Sequence, residues 1–208
     1  MAKTTTAHDG GAGSALGLRE RKKRATRQAL QQAAVRLFRE HGIEAVTVED
    51  ICAQAGVSPR TFFNYFTAKE EVLVPWDPDI VESTARRVLA QPAEHPPLRV
   101  AHTVLGAAID TAMAAPTWRD QALLLRDKPE LIRRIASASR TLETALADGL
   151  AQRLGRDRED HYVRLLSATA ITAMRSCIQS WHRAHPDTDL HDFLDEAFDL
   201  LSRGLPPD

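Results

Sequence analysis

Cysteine is almost absent: only Cys52 and Cys177 occur, with no Cys-x-x-Cys pair and no Cys-His spacing around either. That excludes a disulfide framework and a zinc site built on thiolates, and makes Cys52 a small packing residue rather than a redox switch. Aromatic residues make up 5% of the chain, and the Val, Ile and Thr alternation of half-buried strands does not occur. A sheet is therefore not expected. Nor is there a run of roughly 18 apolar residues, the length a membrane-spanning helix needs. The opening MAKTTTAHDGGAGSALGL lacks the apolar stretch of a signal peptide. These absences predict a cytoplasmic protein with no membrane partner.

Also missing are a nucleophile elbow, a phosphate-cradling glycine loop and any cluster with metal-ligand spacing. His182, His185 and His191 lie near Asp187 and Asp189, but they straddle a proline-containing turn and are read as facing water rather than holding a metal. The chain is expected to be no enzyme and to carry neither metal nor cofactor.

What the sequence does have is helical periodicity. Apolar residues form 43% of it, enough for a substantial core, and the pattern predicts an all-α fold of about nine helices. Charge is unevenly spread: residues 1–75 carry 11 Lys and Arg against 8 Asp and Glu, whereas the rest carries 16 against 20. From Arg19 to Arg39 there are eight basic residues and Glu20 as the one acid. A basic end on a near-neutral chain points to a polyanion partner.

Three parts are expected: residues 1–18 as a disordered tail, 19–74 as a basic domain of short helices, and 75–208 as a larger helical domain. The first 18 residues offer too little apolar surface to offset the entropy of ordering them. From about Arg21 to His41, Leu30, Ala33, Ala34, Leu37 and Phe38 make an amphipathic stripe. Thr47 caps a second helix through Asp50, and Gly56 stops it; Ser58 and Pro59 then open a third helix containing Arg60 to Phe66. Thr67 to Glu70 reads as a capping box for a fourth, running to about Val74; Pro75, Trp76, Asp77 and Pro78 interrupt it, and the helical pattern resumes through Leu89. Further helices are expected over 98–114, 118–126, 129–154, 159–185 and 190–202, after a proline-rich connection at 91–97.

Two short helices joined by a tight turn have the shape that the major groove admits. Cys52, Val57, Phe62 and Phe66 supply the apolar wedge between them, which leaves Ser58, Arg60, Thr61, Asn64 and Tyr65 on the outer face as DNA contacts. Arg60 suits a guanine edge and Asn64 an adenine edge, whereas Thr47, Thr61, Tyr65 and Lys69 suit phosphates. The preceding basic run of Arg19, Arg21, Lys22, Lys23, Arg24 and Arg27 favours phosphate binding as well.

These residues resemble the tetracycline-repressor (TetR) family of bacterial regulators. The likeness rests on Leu37-Phe38-Arg39-Glu40-His41-Gly42, on Thr47 to Ser58 (TVEDICAQAGVS), on Thr61 to Phe66 (TFFNYF) and on Lys69 to Leu73 (KEEVL). The resemblance implies contacts to phosphates and bases at Thr47, Pro59, Arg60, Thr61, Phe63, Asn64, Tyr65 and Lys69. Phe63 stands where the family often has Tyr, so a phenolic hydroxyl is missing there. The resemblance also implies that residues 19–74 are a helix-turn-helix DNA-binding domain, that 75–208 are a dimerisation domain binding a small hydrophobic effector, and that a homodimer sits on double-stranded operator DNA.

In the second half, Leu165 to Met174 (LLSATAITAM) is uncharged and nearly apolar all round, which marks a helix buried on several sides. The last helix repeats Phe193, Leu194, Ala197, Phe198, Leu200 and Leu201, more apolar surface than packing on one side covers, so a partner chain is expected. Leu105, Ile109, Met113, Trp118, Leu124, Met174 and Ile178 are apolar residues of converging helices and form the candidate effector lining. The proline-interrupted 74–78, the Asp127-Lys128-Pro129-Glu130-Leu131 start of a long helix and the His182 region resemble a TetR subgroup with acyl-CoA-like ligand-binding domains. That likeness implies an anionic effector end, for which Arg126 or Arg175 supplies the positive charge. Repression is the function expected first. Activation or dual control uses the same motifs, and a helical binding protein or enzyme with an incidental basic end is the reading outside this class.

Overall fold

A computed structural model of the chain describes residues 11–74, 76, 78–126, 139–183 and 188–205. Among these, nine α-helices and one 3-10 turn occur and no strand: α1 (Gly11–His41), α2 (Val48–Ala55), α3 (Pro59–Phe63), the 3-10 turn (Lys69–Leu73), α4 (Pro78–Leu89), α5 (Pro97–Met113), α6 (Trp118–Arg126), α7 (Ser139–Leu154), α8 (His161–Arg183) and α9 (Leu190–Ser202). The chain divides into two compact units, Met1–Val72 and Leu73–Asp208.

In the first unit α1 packs on α2, and α2 on α3. Leu30, Ala34 and Phe38, spaced as one helical stripe, are buried together with Ile43, Val46, Ile51, Cys52, Phe62 and Phe66. Helix α1 starts at Gly11, ahead of the expected Arg21, so residues 11–18 of the segment expected to be disordered are helical. Extending an existing helix needs no new nucleus, and Ala12, Ala15 and Leu16 favour propagation. Residues 1–10 of the expected tail lie outside the described residues.

Two further differences concern the motif's far end. Helix α3 closes at Phe63, and Asn64 and Tyr65 form a turn, although the Phe66 N–H still reaches the Phe62 carbonyl at 3.0 Å. The expected fourth helix over 67–74 is instead the 3-10 turn, and the backbone N–H of Thr67 donates to the carboxylate of Glu71 rather than to Glu70. Pro75 and Pro78 lack the N–H that a continuing α-helix needs, so the segment cannot be prolonged into a longer helix and closes as a single 3-10 turn.

The second unit is a helical bundle around an aliphatic core. Helix α5 is its central element, with Val100, Ala101, Val104, Leu105, Ala108, Ile109 and Ala112 buried against α4, α6, α8 and α9. Helices α4 and α7 cross so closely that a Cβ on Gly149 would stand 2.9 Å from both Ala85 Cα and Val88 Cβ. Glycine is what permits that approach. The proline-rich connection after α4 is fastened by Arg153, whose guanidinium donates to the carbonyls of Gln91 (2.8 Å), Val88 and His95 (3.5 Å each) and Pro92. None of the described helices is long and apolar enough to cross a membrane.

Helix α8 carries the LLSATAITAM stretch, and it is buried on one side rather than on several. Ala170, Ile171 and Met174 are fully covered, whereas Leu165 is 57% exposed and Thr172 is exposed. Helix α9 packs on both α5 and α8, which covers Leu190, Leu194 and Phe198 and leaves Phe193, Ala197, Leu200 and Leu201 half-buried. More of its apolar surface is thus used within the unit than the sequence pattern implied. The 127–131 helix start, His185 and Asp187 lie outside the described residues, as does the side chain of His182.

Candidate nucleic-acid interface

The ends of α2 and α3 are set by Thr47, Gly56, Ser58 and Pro59. At the start of α2 Thr47 forms a reciprocal cap: its hydroxyl accepts from the Asp50 N–H at 3.1 Å, and the Asp50 carboxylate accepts from the Thr47 N–H (2.9 Å) and hydroxyl (2.6 Å). These bonds, the one from the Thr47 hydroxyl first, hold the Asp50 carboxyl below the usual carboxylate range. Helix α2 ends at Gly56, in the left-handed conformation (φ 67°, ψ 33°), where residues with a Cβ are strained. Its N–H and that of Val57 close on the carbonyls of Ala53 and Cys52. Ser58 then caps α3, accepting from the Thr61 N–H at 3.2 Å, with Pro59 at the first helical position.

The apolar wedge between the helices is Cys52, Phe62 and Phe66, all buried, with Val57 half-buried beside them. Burial raises the Cys52 thiol pKa, which keeps it a protonated packing group. On the opposite face Ser58, Pro59, Arg60, Phe63 and Asn64 are exposed, and Thr61 is half-buried. The structure therefore brings the α3 candidates onto one solvent-facing surface. Phe63, edge-on to Phe62 at 5.5 Å, is nonetheless 57% exposed, so most of this large apolar ring is left to water on the outer face of α3. The hydroxyls of Ser58 and Thr61 lie 2.9 Å apart and pair with each other, so Arg60 and Asn64 are left as the long polar side chains of this face.

Three other candidates carry intramolecular duties. The Thr47 hydroxyl is occupied by the cap. Tyr65 is half-buried, and its carbonyl accepts from Arg27 at 3.1 Å. Lys69 reaches back from the 3-10 turn to the α1–α2 connection, where its ammonium donates to the carbonyls of Ile43 (2.8 Å), Val46 (2.8 Å) and Glu44 (3.4 Å). An ammonium has three protons, and these three acceptors engage all of them.

The role of Arg27 differs from the one expected for it in the basic run. Its guanidinium lies over the Phe66 ring, 4.3 Å from the centroid, and locks the end of α3 against α1. The signal was present in the sequence: Arg27 precedes Leu30 by three residues and Ala34 by seven, and so belongs to the core-facing row of α1. Residues 18, 19 and 21–25, by contrast, are exposed.

In the second unit, Leu105, Ile109, Trp118 and Met174 belong to one buried cluster, with Ile178 packed against it and Trp118 stacked on Trp181 at 6.0 Å. Leu124 is half-buried, and Met113 lies at the exposed edge of α5. Arg175 donates to the Thr172 hydroxyl on its own helix at 3.0 Å, whereas the Arg126 side chain lies outside the described residues. Among the described residues no group of His, Cys, Asp and Glu is arranged to hold a metal ion.

Comparison with known proteins agrees with this geometry. Residues 30–74 match the family model of bacterial regulatory proteins of the tetR family, and residues 111–206 match the MftR C-terminal domain. The chain is 32% identical to the HTH-type transcriptional regulator TcmR of Streptomyces glaucescens, over 92% of this chain and 88% of that protein. It is 26% identical to the putative mycofactocin biosynthesis transcriptional regulator MftR of Mycobacterium tuberculosis, over 89% and 93%. Among solved structures it is similar to Thermus thermophilus FadR, a TetR family transcriptional repressor in complex with lauroyl-CoA, with a TM-score of 0.52 and 27% identity over 88% of this chain and 96% of that one. An exposed α3 set by the Gly56 turn, a family model laid over it and a relative matched along most of its length place this chain in the TetR family of DNA-binding, helix-turn-helix transcriptional regulators.

Proposed function

We propose that the chain is a repressor that binds a palindromic operator as a homodimer and leaves it when a small hydrophobic effector, an acyl-CoA by preference, occupies the second unit. The observation that carries this reading is the exposed α3 face, on which Arg60, Phe63 and Asn64 project while Phe62 and Phe66 anchor the helix from behind. Arg60 and Asn64 read base edges, and Pro59, Thr61, Phe63 and Tyr65 line the groove walls. Thr47 and Lys69 support this surface through their intramolecular bonds, and the Lys69 charge acts on nearby phosphates through space. A protein acting in this way works in the compartment that holds the DNA, the cytoplasm of a bacterium.

Dimerisation is supported by α8, where Leu165 and Tyr162 are exposed beside Thr172 and Ser176, a surface with few charges for a second copy to cover. Two-fold symmetry then sets paired α3 helices about 34 Å apart, one turn of the duplex. For the effector, the cluster of Leu105, Ile109, Trp118, Met174 and Ile178 offers apolar walls suited to an acyl chain, with Arg126 and Arg175 as cations for an anionic end. FadR, similar over most of its length, was solved with lauroyl-CoA. An effector that binds one conformation better shifts the population of DNA-competent dimers by that difference in affinity.

The test is gel retardation of DNA from around the protein's own gene, repeated with a series of acyl-CoA thioesters. Retarded DNA released by one chain-length range is the expected result. Retardation indifferent to every thioester contradicts the effector class, and no retardation at all contradicts DNA binding.

A further inference from the structure

Helix α1 runs for 31 residues from Gly11, whereas the tetR family match begins at residue 30. The helix thus extends well ahead of the part that the family model covers. Within that extension residues 19–24 read RERKKR, five cations and one acid. Arg19, Lys22 and Lys23 are all exposed, so packing within this chain does not bury them. Like charges three and four residues apart destabilise a helix, and a helix polar on every side has no core to compensate. A polyanion lying alongside removes that repulsion.

The direction of the charges is fixed by the helical repeat. Arg19, Lys22 and Lys23 are spaced by three and four residues, and the same row continues through Thr26 to Leu30, which is buried in the helix-turn-helix core. Arg27, beside that row, bonds the Tyr65 carbonyl and covers Phe66 at the end of α3. The row therefore leaves the unit along the face of α1 that packs on the helix-turn-helix, a few residues ahead of the point where Arg27 meets Tyr65 and Phe66, the turn that follows α3.

We infer that the Arg19–Lys22–Lys23 row is a second DNA-contacting surface, a helical clamp on backbone phosphates that flank the base pairs read by α3. The inference rests on the DNA-binding reading and adds to it a partner for a segment outside the family match. From Arg27 to Arg19 the helix covers about 12 Å. Duplex DNA presents one charge per roughly 1.7 Å of its axis, so the row spans several phosphates. Exposed Lys and Arg on flexible stems act there as charges, adding affinity without sequence preference.

The test uses the full-length chain and a duplex selected by the wild-type protein from a random-sequence library, prepared with long flanks and with flanks trimmed to the selected core. The variant is Arg19→Gln/Lys22→Gln/Lys23→Gln, whose exposed positions and helix-favouring replacements preserve the fold, checked by an unchanged melting temperature. On the long duplex the slope of log affinity against log salt is expected to fall by about 2–3, with affinity down about a hundredfold at 50 mM salt and converging with wild type as salt rises. On the trimmed duplex, wild type and variant are expected to bind alike. An unchanged slope on the long duplex overturns the clamp while leaving α3 as the reader, as does an equal loss on both duplexes. Failure of the wild-type protein to select any duplex overturns the DNA-binding reading itself.

Discussion

The two units are both helical bundles, but they hold their shape by different means. In the first, the short α2 and α3 and the 3-10 turn are fixed on α1 by polar locks at named positions: the Thr47–Asp50 cap, the Ser58 cap, Lys69 on three carbonyls and Arg27 on Tyr65 and Phe66. In the second, long helices rest on an aliphatic core, with α4 and α7 pressed together at Gly149. Polar locks set angles between small elements, which suits a surface that must match a groove. An aliphatic core sets volume and is tolerant of the shape of what it encloses.

The largest expected effect is in the first unit's own small core. Phe62→Ala removes a fully buried ring from beneath α3 and is expected to cost about 3–5 kcal/mol in a denaturant titration, abolishing DNA binding with it. A loss below about 1 kcal/mol, the level of a surface change, shows that the locks alone hold α3 in place. The counterpart in the second unit is Gly149→Val, which drives a side chain into Ala85 and Val88 and is expected to cost about 3 kcal/mol by the same measurement.

Weaker effects separate lock from ligand. Lys69→Met keeps the aliphatic stem but removes the ammonium, and is expected to lower stability by about 1–2 kcal/mol, part of the bonding being exposed and screened. If Lys69 acts only as a clamp, the salt slope of DNA binding stays as it was; a slope lower by about 0.9 shows that it also neutralises a phosphate. Thr47→Val removes the cap hydroxyl, at about 1 kcal/mol. Because that hydroxyl and the Thr47 N–H hold the folded Asp50 pKa down, their contribution is present above the unfolded value near 3.9 and is lost as pH falls through the lower folded value. The difference in melting temperature between wild type and Thr47→Val should accordingly narrow in acid, leaving the part that comes from the Asp50 N–H bond to the Thr47 hydroxyl.

Legibility in the sequence followed the same division. Thr47, Gly56, Ser58 and Pro59 each have one conformational use, so the motif and its exposed face were readable residue by residue. Arg27 and Lys69 were legible only as charges. Their bonds to Tyr65, Ile43 and Val46 join residues far apart in the chain, and no local pattern encodes them. In the second unit the periods gave the helices, and α9 is bounded where its pattern placed it. The same Leu, Ile and Met side chains serve core and pocket alike, which is why periodicity assigns Leu105 and Met174 to the interior without assigning them to a ligand. Helix α1 extends beyond its sequence pattern because its first turns, rich in Gly and Ala, carry too little apolar surface to announce a helix and depend on propagation from the packed part.

The central claim is that the exposed face of α3 reads base pairs and does not hold the fold together. Its most direct test is to select duplexes from a random library with the wild-type protein and with Arg60→Ala and Asn64→Ala, and to measure the melting temperature of all three. The account predicts unchanged melting, with each variant losing about 1–3 kcal/mol of discrimination at a different base-pair position. Equal selectivity in all three proteins, or a loss of binding that tracks a lowered melting temperature, contradicts it.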